Sequence, residues 1–210
     1  MKRCIIFSAG TFYGLQRRPS PDDYVIAADA GYLACLVAGV TPDLLLGDFD
    51  SLERPKDFPN DIRTAPIEKD DTDTMLAVRA GLENGCDTFY FYGATGGKRL
   101  DHTIANFQTL LWLRQQGARG YIYEEGFIWT VIENEPLVIT RAAENAVVSV
   151  FCIGEDAKGV TLEGLHYKLD NAVLSANHPL GVSNKMVGSK ACITVAEGAL
   201  LVGWELPKKS

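Results

Sequence analysis

The residues best suited to chemistry in this chain are carboxylates in two short runs. Asp48 and Asp50 lie in Leu44-Leu45-Leu46-Gly47-Asp48-Phe49-Asp50-Ser51, and Asp70 and Asp73 lie in Lys69-Asp70-Asp71-Thr72-Asp73. Leucines bounded by turn residues suit a buried parallel strand. Asp48 and Asp50 then stand at its carboxyl end, and both leave the same face if the chain stays extended through Phe49. Carboxylates so close repel unless a cation sits between them. A hard divalent ion with oxygen ligands fits, and Mg²⁺ keeps several waters while bridging to substrate phosphates. An isolated Asp-x-Asp serves equally well as a turn or a helix cap. The second run tips the balance, because Asp70 and Asp73 are spaced to share a helix face. Two carboxylate pairs at element ends in an α/β pattern favour a metal–phosphate site at the carboxyl edge of a sheet.

The elements that must hold these groups follow from the hydrophobic pattern. Residues 3–8 read as a central strand, and Tyr24-Val25-Ile26-Ala27-Ala28 as a second, with Asp29 after it as a helix N-cap. The next segment places Leu33, Leu36 and Val37 on one face and stops at Gly39, a left-handed C-cap. After the leucine strand, Ile62–Ile67 suits a short strand. A helix starting at Thr72 or Asp73 turns Met75, Val78 and Leu82 inward and ends at Asn84-Gly85. Thr88–Tyr92 is a run of strong β formers, more sheet core than stacking platform. Gly93-Ala94-Thr95-Gly96-Gly97 follows at once, the kind of turn that aims backbone N–H groups at a phosphate, although it is neither Gly-x-Gly-x-x-Gly nor a P-loop. Lys98-Arg99-Leu100-Asp101-His102 leads into a helix with Ile104, Phe107 and Leu111 inward, ended by Gly117, and Tyr121-Ile122-Tyr123 is a further strand.

This alternation implies an α/β N-terminal domain with a mainly parallel sheet flanked by helices. Beyond Glu124-Glu125-Gly126 the character changes. Residues 127–132, 137–140, 146–153, 160–162, 191–195 and 199–205 are short β-type runs separated by Gly, Asn and Asp, with no helical period. They imply a small C-terminal all-β, sandwich-like domain. The expected division is residues 1–124 for the α/β domain and 125–210 for the β domain. Trp204, in the last run, reads as packing.

Composition narrows the function. With 210 residues, 47% of them hydrophobic and 22% charged, the chain can bury a proper core. A formal net charge of −7 argues against a nucleic-acid backbone as partner, but not against a nucleotide whose charge a metal offsets. Cys4, Cys35, Cys86, Cys152 and Cys192 are scattered with no Cys-x-x-Cys pair, as expected of reduced thiols in a cytoplasmic protein. The apolar run after Met1-Lys2-Arg3 is too short for a signal peptide, and no stretch is long enough to span a membrane. The histidines, His102, His166 and His178, have no metal-ligand spacing, and His102 reads as a structural residue at a helix start.

In order along the chain stand Ala28-Asp29-Ala30-Gly31, Pro42-Asp43 with Gly47-Asp48-Phe49-Asp50-Ser51, Lys69-Asp70-Asp71-Thr72-Asp73, Gly96-Gly97-Lys98-Arg99-Leu100-Asp101-His102 with Asn106, and Ser183-Asn184. Each motif is modest alone, but the set in this order closely resembles the bacterial thiamine pyrophosphokinase family over nearly the whole chain. The resemblance implies transfer of the pyrophosphoryl group of ATP to the hydroxyl of thiamine, giving thiamine diphosphate and AMP. It implies Mg²⁺ at Asp48, Asp50 and Asp73, with these residues, Asp101 and Arg99 as the catalytic set. Asp29, Lys69, Asp70, Thr72, Gly96, Gly97 and Lys98 would bind ATP, and Ser183 and Asn184 thiamine. It also implies a cytoplasmic homodimer with active sites at the interface. Two positions depart from the family pattern: Ala30 where glycine is usual, and the basic pair Lys98-Arg99 where a single Arg is more common.

The residue chemistry agrees. Phosphoryl transfer needs metal bridging, positive charge on the phosphate oxygens and in-line placement of the nucleophile. Lys69, Lys98 and Arg99 can answer the phosphate charge, and Asp101 or Asp73 can accept the hydroxyl proton late in the transfer. Two competing readings are a metal-dependent phosphatase using the first Asp of the leucine strand as nucleophile, and a non-catalytic nucleotide- or thiamine-binding protein.

Overall fold

The computed structural model describes residues 1–47, 58–64 and 70–208, so Asp48, Asp50 and Lys69 lie outside the described residues. The first half contains β1 (Arg3–Phe7), β2 (Tyr24–Ala28), α1 (Gly31–Ala38), β3 (Leu44–Gly47), β4 (Asp61–Thr64), α2 (Asp73–Glu83), β5 (Thr88–Tyr92), α3 (Leu100–Gln115) and β6 (Arg119–Tyr123). The second half is all strand: β7 (Phe127–Glu133), β8 (Pro136–Ile139), β9 (Val147–Cys152), β10 (Ala157–Glu163), β11 (Leu169–Leu174), β12 (Gly181–Lys185), β13 (Ala191–Thr194) and β14 (Ala199–Glu205).

One ten-stranded sheet runs through both halves in the order β12-β9-β14-β7-β6-β5-β1-β2-β3-β4, and β11-β10-β13-β8 form a second, four-stranded sheet. Strands β4 to β6 of the long sheet are mutually parallel. From β6 onward each pairing is antiparallel. The strands of the first half are thus parallel, as expected, but the sheet as a whole is mixed, because strands of the second half extend it. The cause is local: Glu124-Glu125-Gly126 is a hairpin turn, with Glu124 N–H donating to the Phe127 carbonyl at 3.0 Å and Gly126 at φ +68°. A tight turn returns the chain beside β6, so the sheet continues where a linker would have broken it.

Helices α2 and α3 cover one face of the parallel strands, burying Ala77, Val78, Leu110 and Leu113 against Cys4, Ile6, Phe89 and Phe91. Helix α1 lies on the other face, where Ala34 and Cys35 meet Ile5, Phe7, Val25 and Leu45. Ile132, Val148 and Val202 of the long sheet enclose a third core with Val160, Leu162 and Ile193 of the short one. Trp204 packs there, donating its indole N–H to the Arg141 carbonyl at 3.0 Å.

Several local expectations are corrected. Leu33, Leu36 and Val37 are exposed, and α1 buries Gly31, Ala34 and Cys35 instead. A Cβ at Gly31 would sit 2.0 Å from the Phe7 carbonyl oxygen, so the helix approaches β1 too closely for large side chains. Ile104 is likewise exposed, because α3 turns Asn106, Thr109, Leu110 and Leu113 inward. Asp29 is not the cap of α1: Ala30 holds that position without a side-chain bond, and Asp29 adopts φ +49° just before it. Thr72, by contrast, caps α2, its hydroxyl accepting from Met75 N–H at 3.2 Å. Strands β11 and β12 have no counterpart in the sequence reading. Both are edge strands, and β12 carries a register shift between Gly181 and Asn184 with Ser183 at φ +57°. Edges and bulges disrupt the alternation that marks a strand.

Candidate active site

Strand order reverses at β1. The chain leaves β1 toward β2 on one side, while β5 pairs with its other side and leads away to β6. Connections diverging from neighbouring strands open a crevice at their carboxyl ends, where α/β sheets bind ligands. Here the walls are Ser8-Ala9-Gly10, after β1, and Gly93–Gly97, after β5. The two segments are laced together: Ser8 N–H donates to the Tyr92 carbonyl at 2.8 Å, Gly10 N–H to Gly93 at 2.7 Å and Thr11 N–H to Thr95 at 3.0 Å. An added Cβ on Gly10 would lie 2.5 Å from the Gly93 carbonyl oxygen, so this crossing requires glycine. Gly96 and Gly97 take left-handed conformations in succession, φ +72° and +75°. These angles are easy only for glycine.

Two helices begin at this crevice. At the start of α2, the Thr74 hydroxyl lies 3.0 Å from that of Ser8, both buried. From α3, the buried Asn106 amide donates to the Ala94 carbonyl at 2.7 Å, fixing the middle of the glycine turn. Unpaired N–H groups and the axial dipole at such helix starts favour an anion between them. The resulting cleft encloses about 220 Å³. It brings together six of the residues singled out in the sequence: Asp29, Asp73, Gly96, Gly97, Lys98 and Arg99. Ser8, Gly10, Thr74 and Thr103 also line it and were not singled out. The small-residue run after the first strand was the available signal, because it faces the glycine turn once β1 and β5 pair.

Other expected residues stand elsewhere. Asp70 is exposed, and Thr72 is occupied as the α2 cap. Asp101 is also exposed and forms a bidentate pair with Arg99, at 2.9 Å to Nε and 2.7 Å to Nη2. The Arg99 hydrogen bonds hold the Asp101 carboxyl down at about 2. His102 lies on the cleft wall at the start of α3. Among the described residues no cluster of three or more His, Cys, Asp or Glu side chains is placed to hold a metal. The carboxylates that do line the cleft, Asp29 and Asp73, are the hard oxygen donors that Mg²⁺ prefers.

Ser183 and Asn184 lie in the β half, on β12. Ser183 N–H donates to the Ser149 hydroxyl at 3.1 Å, and Asn184 is buried. They border two shallow clefts on either side of Tyr167.

Both halves of the chain are matched by known sequences. Residues 16–122, a little over half the chain, match the family model described as thiamin pyrophosphokinase, catalytic domain. The chain belongs to the thiamin pyrophosphokinase family. Residues 136–200 match the family's vitamin B1 binding domain. The chain is similar to thiamine pyrophosphokinase of Bacillus subtilis, at 28% identity over 182 residues, covering 84% of this chain and 85% of that protein. The crystal structure of thiamin pyrophosphokinase from Geobacillus thermodenitrificans superposes with a TM-score of 0.82 at 27% identity, covering 100% of this chain and 99% of that one. Thiamin pyrophosphokinase from Candida albicans shares the fold at 13% identity, with a TM-score of 0.79 over 97% of this chain and 88% of that one. As a member of the family the chain is an enzyme of ATP-dependent thiamine diphosphate formation. The phosphatase reading finds no support: the strand leading to Asp48 is the third in the chain, and the family is a different one. No helix of the described residues is long and apolar enough to cross a membrane.

Proposed function

We propose that residues 1–124 hold ATP and Mg²⁺ in the crevice at the ends of β1 and β5, and that residues 125–210 supply the thiamine contacts. The observation that carries this reading is the glycine turn: backbone N–H groups, two helix starts and the Lys98-Arg99 pair converge on one cleft with Asp29 and Asp73. Gly96, Gly97 and Lys98 bind the phosphates, and Arg99 stabilises charge on the group in transfer. Asp29, Asp70, Thr72 and Lys69 belong to the ATP side. Asp73 holds the metal with Asp48 and Asp50, which follow β3 in the chain. When bound, Mg²⁺ neutralises the phosphate oxygens and aligns them for displacement. Asp101 serves by orienting Arg99, since a carboxyl held at about 2 by that Arg is a poor acceptor for the hydroxyl proton. Asp73, inside the cleft, is the better acceptor. Incubation with Mg²⁺, ATP and thiamine yields AMP and thiamine diphosphate on this reading, and release of inorganic phosphate alone contradicts it. Asp48→Asn and Asp50→Asn each lower turnover by ~10²-fold or more without unfolding the chain. Near-native rates in both remove them from the metal site.

The enzyme acts as a cytoplasmic homodimer with shared sites. Sheet topology supports sharing: β12 stands five strands from β5. At about 4.8 Å per strand that is roughly 24 Å, well beyond the length of a thiamine molecule. Val173, Leu180 and Val182 also expose apolar side chains on or beside the edge strands β11 and β12. A two-fold dimer lets each crevice receive thiamine contacts from its partner. Asp48→Asn mixed with the Ser183→Ala/Asn184→Ala double variant then regains roughly a quarter of native activity after subunit exchange, because about half the dimers are mixed and each has one intact site. Activity that stays at the parental average, with exchange demonstrated by tagged pull-down, rules out sharing.

A further inference from the structure

Two hydroxyls, those of Ser8 and Thr74, meet inside the cleft. Both residues line it at relative exposures of 3% and 7%, and their side-chain oxygens lie 3.0 Å apart. Each is held by its own element. Ser8 follows β1 directly, with its N–H bonded to the Tyr92 carbonyl at 2.8 Å. Thr74 stands in the first turn of α2, one residue after Asp73, where the Thr72 cap fixes the helix start. The hydrogen bond between them thus ties strand to helix along one wall of the cleft.

A count of protons shows what the pair has left over. A hydroxyl carries one O–H and two lone pairs. One proton makes the bond between Ser8 and Thr74, and whichever residue accepts it keeps a proton of its own. Among the described residues neither hydroxyl has a second hydrogen-bond partner. Buried threonines elsewhere spend their proton on the backbone: Thr109 donates to the Ala105 carbonyl at 2.9 Å and Thr130 to the Gly120 carbonyl at 2.8 Å. Thr74 has no such outlet, because the carbonyl four residues back belongs to Asp70, ahead of the helix and its cap. A buried donor without an acceptor is costly. A hydroxyl that already accepts one bond is also polarised into a stronger donor. The spare O–H suits an acceptor that arrives with a ligand.

The surroundings of the pair identify that acceptor. The same cleft holds the glycine turn, Lys98 and Arg99. Thr74 adds the N–H groups of a helix start, which favour an anion. A phosphate oxygen can accept from a neutral O–H in this place without bringing a new charge of the protein against Asp29 and Asp73. We infer that Ser8 and Thr74 act as one exchangeable donor to the phosphate chain of ATP: either hydroxyl can hold the free proton while the other supports it. The inference rests on the reading that this cleft holds the ATP phosphates.

Calorimetric titration of the full chain with ATP and Mg²⁺, alongside thermal melts, tests it. Ser8→Ala and Thr74→Val each leave one hydroxyl, and with it one free proton, so each weakens ATP binding by less than about threefold. Ser8→Ala/Thr74→Val leaves none and weakens ATP binding by about tenfold or more, the loss of a hydrogen bond to a charged group. Ser8→Ala/Thr74→Ser puts one hydroxyl back and returns ATP affinity to the level of the single variants. The thermal midpoint follows the opposite pattern: either single variant breaks the strand–helix bond, and the second substitution has little further to break. Adenosine, which has no phosphate, is bound equally by the native chain and the double variant. If Thr74→Val hinders folding, Thr74→Ala makes the same comparison. Equal ATP affinity in all variants overturns the inference and leaves the pair a strand–helix tie. A single variant as weak as the double also overturns it, because one hydroxyl is then the sole donor. An equal loss of adenosine affinity overturns it by placing the contact on the nucleoside. If a Lys98→Ala/Arg99→Ala variant binds ATP like the native chain, the cleft is not the phosphate site and the underlying reading has failed. A silent hydroxyl pair beside a damaged Lys98→Ala/Arg99→Ala variant condemns the hydroxyls alone.

Discussion

Gly10→Ala tests whether the crossing of the β1 and β5 loops builds the ATP cleft. The added methyl would lie 2.5 Å from the Gly93 carbonyl oxygen and 2.7 Å from that of Thr95, whereas ordinary contact begins at 3.4 Å. Both obstacles are backbone atoms, so no rotamer change relieves them. One loop must retreat by roughly 0.7–0.9 Å, an overpacking that costs about 1–3 kcal/mol. The retreat stretches the 2.7 Å bond from Gly10 to Gly93 and the 3.0 Å bond from Thr11 to Thr95 beyond useful length. Losing them adds about 1 kcal/mol each. The total, ~3–5 kcal/mol, lowers the thermal midpoint by roughly 6–20 °C in a chain of this size. On the proposed reading this is the phosphate end of the cleft, so its widening raises the KM for ATP while that for thiamine changes less. Gly14→Ala is the matched control: Gly14 has a left-handed φ of +82° but nothing within 4 Å of an added methyl, so it carries backbone strain alone. Calorimetry and ATP titration of both variants decide the matter. A Gly10→Ala protein that melts within a degree of native and keeps its ATP KM refutes the reasoning.

Further expectations follow from single contacts. Asn106→Ala leaves the Ala94 carbonyl without its donor in a buried turn, costing about 1–3 kcal/mol; thermal melts and the ATP KM move together, and a change in the thiamine KM alone would contradict the assignment. Arg99→Ala slows transfer by roughly 10²-fold at saturating ATP, yet leaves the melt in place because its pair with Asp101 is solvent-exposed; a silent Arg99→Ala beside a damaging Lys98→Ala moves the phosphate contact to Lys98. At high pH stability falls. Burial pushes the Cys35 thiol up to about 12 from an ordinary 9.0, and burial raises Tyr92 also. The unfolded chain releases these protons first, so each group's stabilisation is intact below its unfolded pKa and is lost as pH rises toward the folded one, at about 1.4 kcal/mol per pH unit. Denaturant melts between pH 8 and 11 measure the slope, which Cys35→Ala should flatten.

The sequence was most legible where chemistry demands a residue type in a fixed place. The glycine turn after β5, the Thr72 cap and the Gly39 stop all lie where local rules put them. Asp29, Asp73, Gly96, Gly97, Lys98 and Arg99 meet in one cleft although spread over some seventy positions of chain. Legibility failed where one element's neighbours decide its surface. Leu33, Leu36 and Val37 form an apolar stripe, yet close approach of Gly31 to β1 turns the small face of α1 inward. The hairpin at Glu124–Gly126 marks a change of character in composition, and composition does not show that one sheet runs on through it. Strands β11 and β12 escaped notice because edge strands with bulges need no alternation to be held.

The two buried asparagines tie these lessons to function. Residues that face a ligand sit where regular structure has ended, so their backbone groups lose the partners a helix or ladder would supply. Ala94 lies in a turn of three left-handed glycines, and Tyr167 lies just past the last rung of a strand pair. In each case an Asn from a regular element, α3 or β12, supplies the missing partner at 2.6–2.7 Å. Asn suits the task because its amide carries the same donor and acceptor as a peptide group. Leucine would fill either space while leaving the loop carbonyl unpaired, and Asp would set a negative charge against it. Precision at a site depends on such supports, since a ligand-facing loop is only as well placed as the bonds behind it. Both the glycine turn at the cleft and the backbone at Tyr167 rest on the side chain of a buried asparagine.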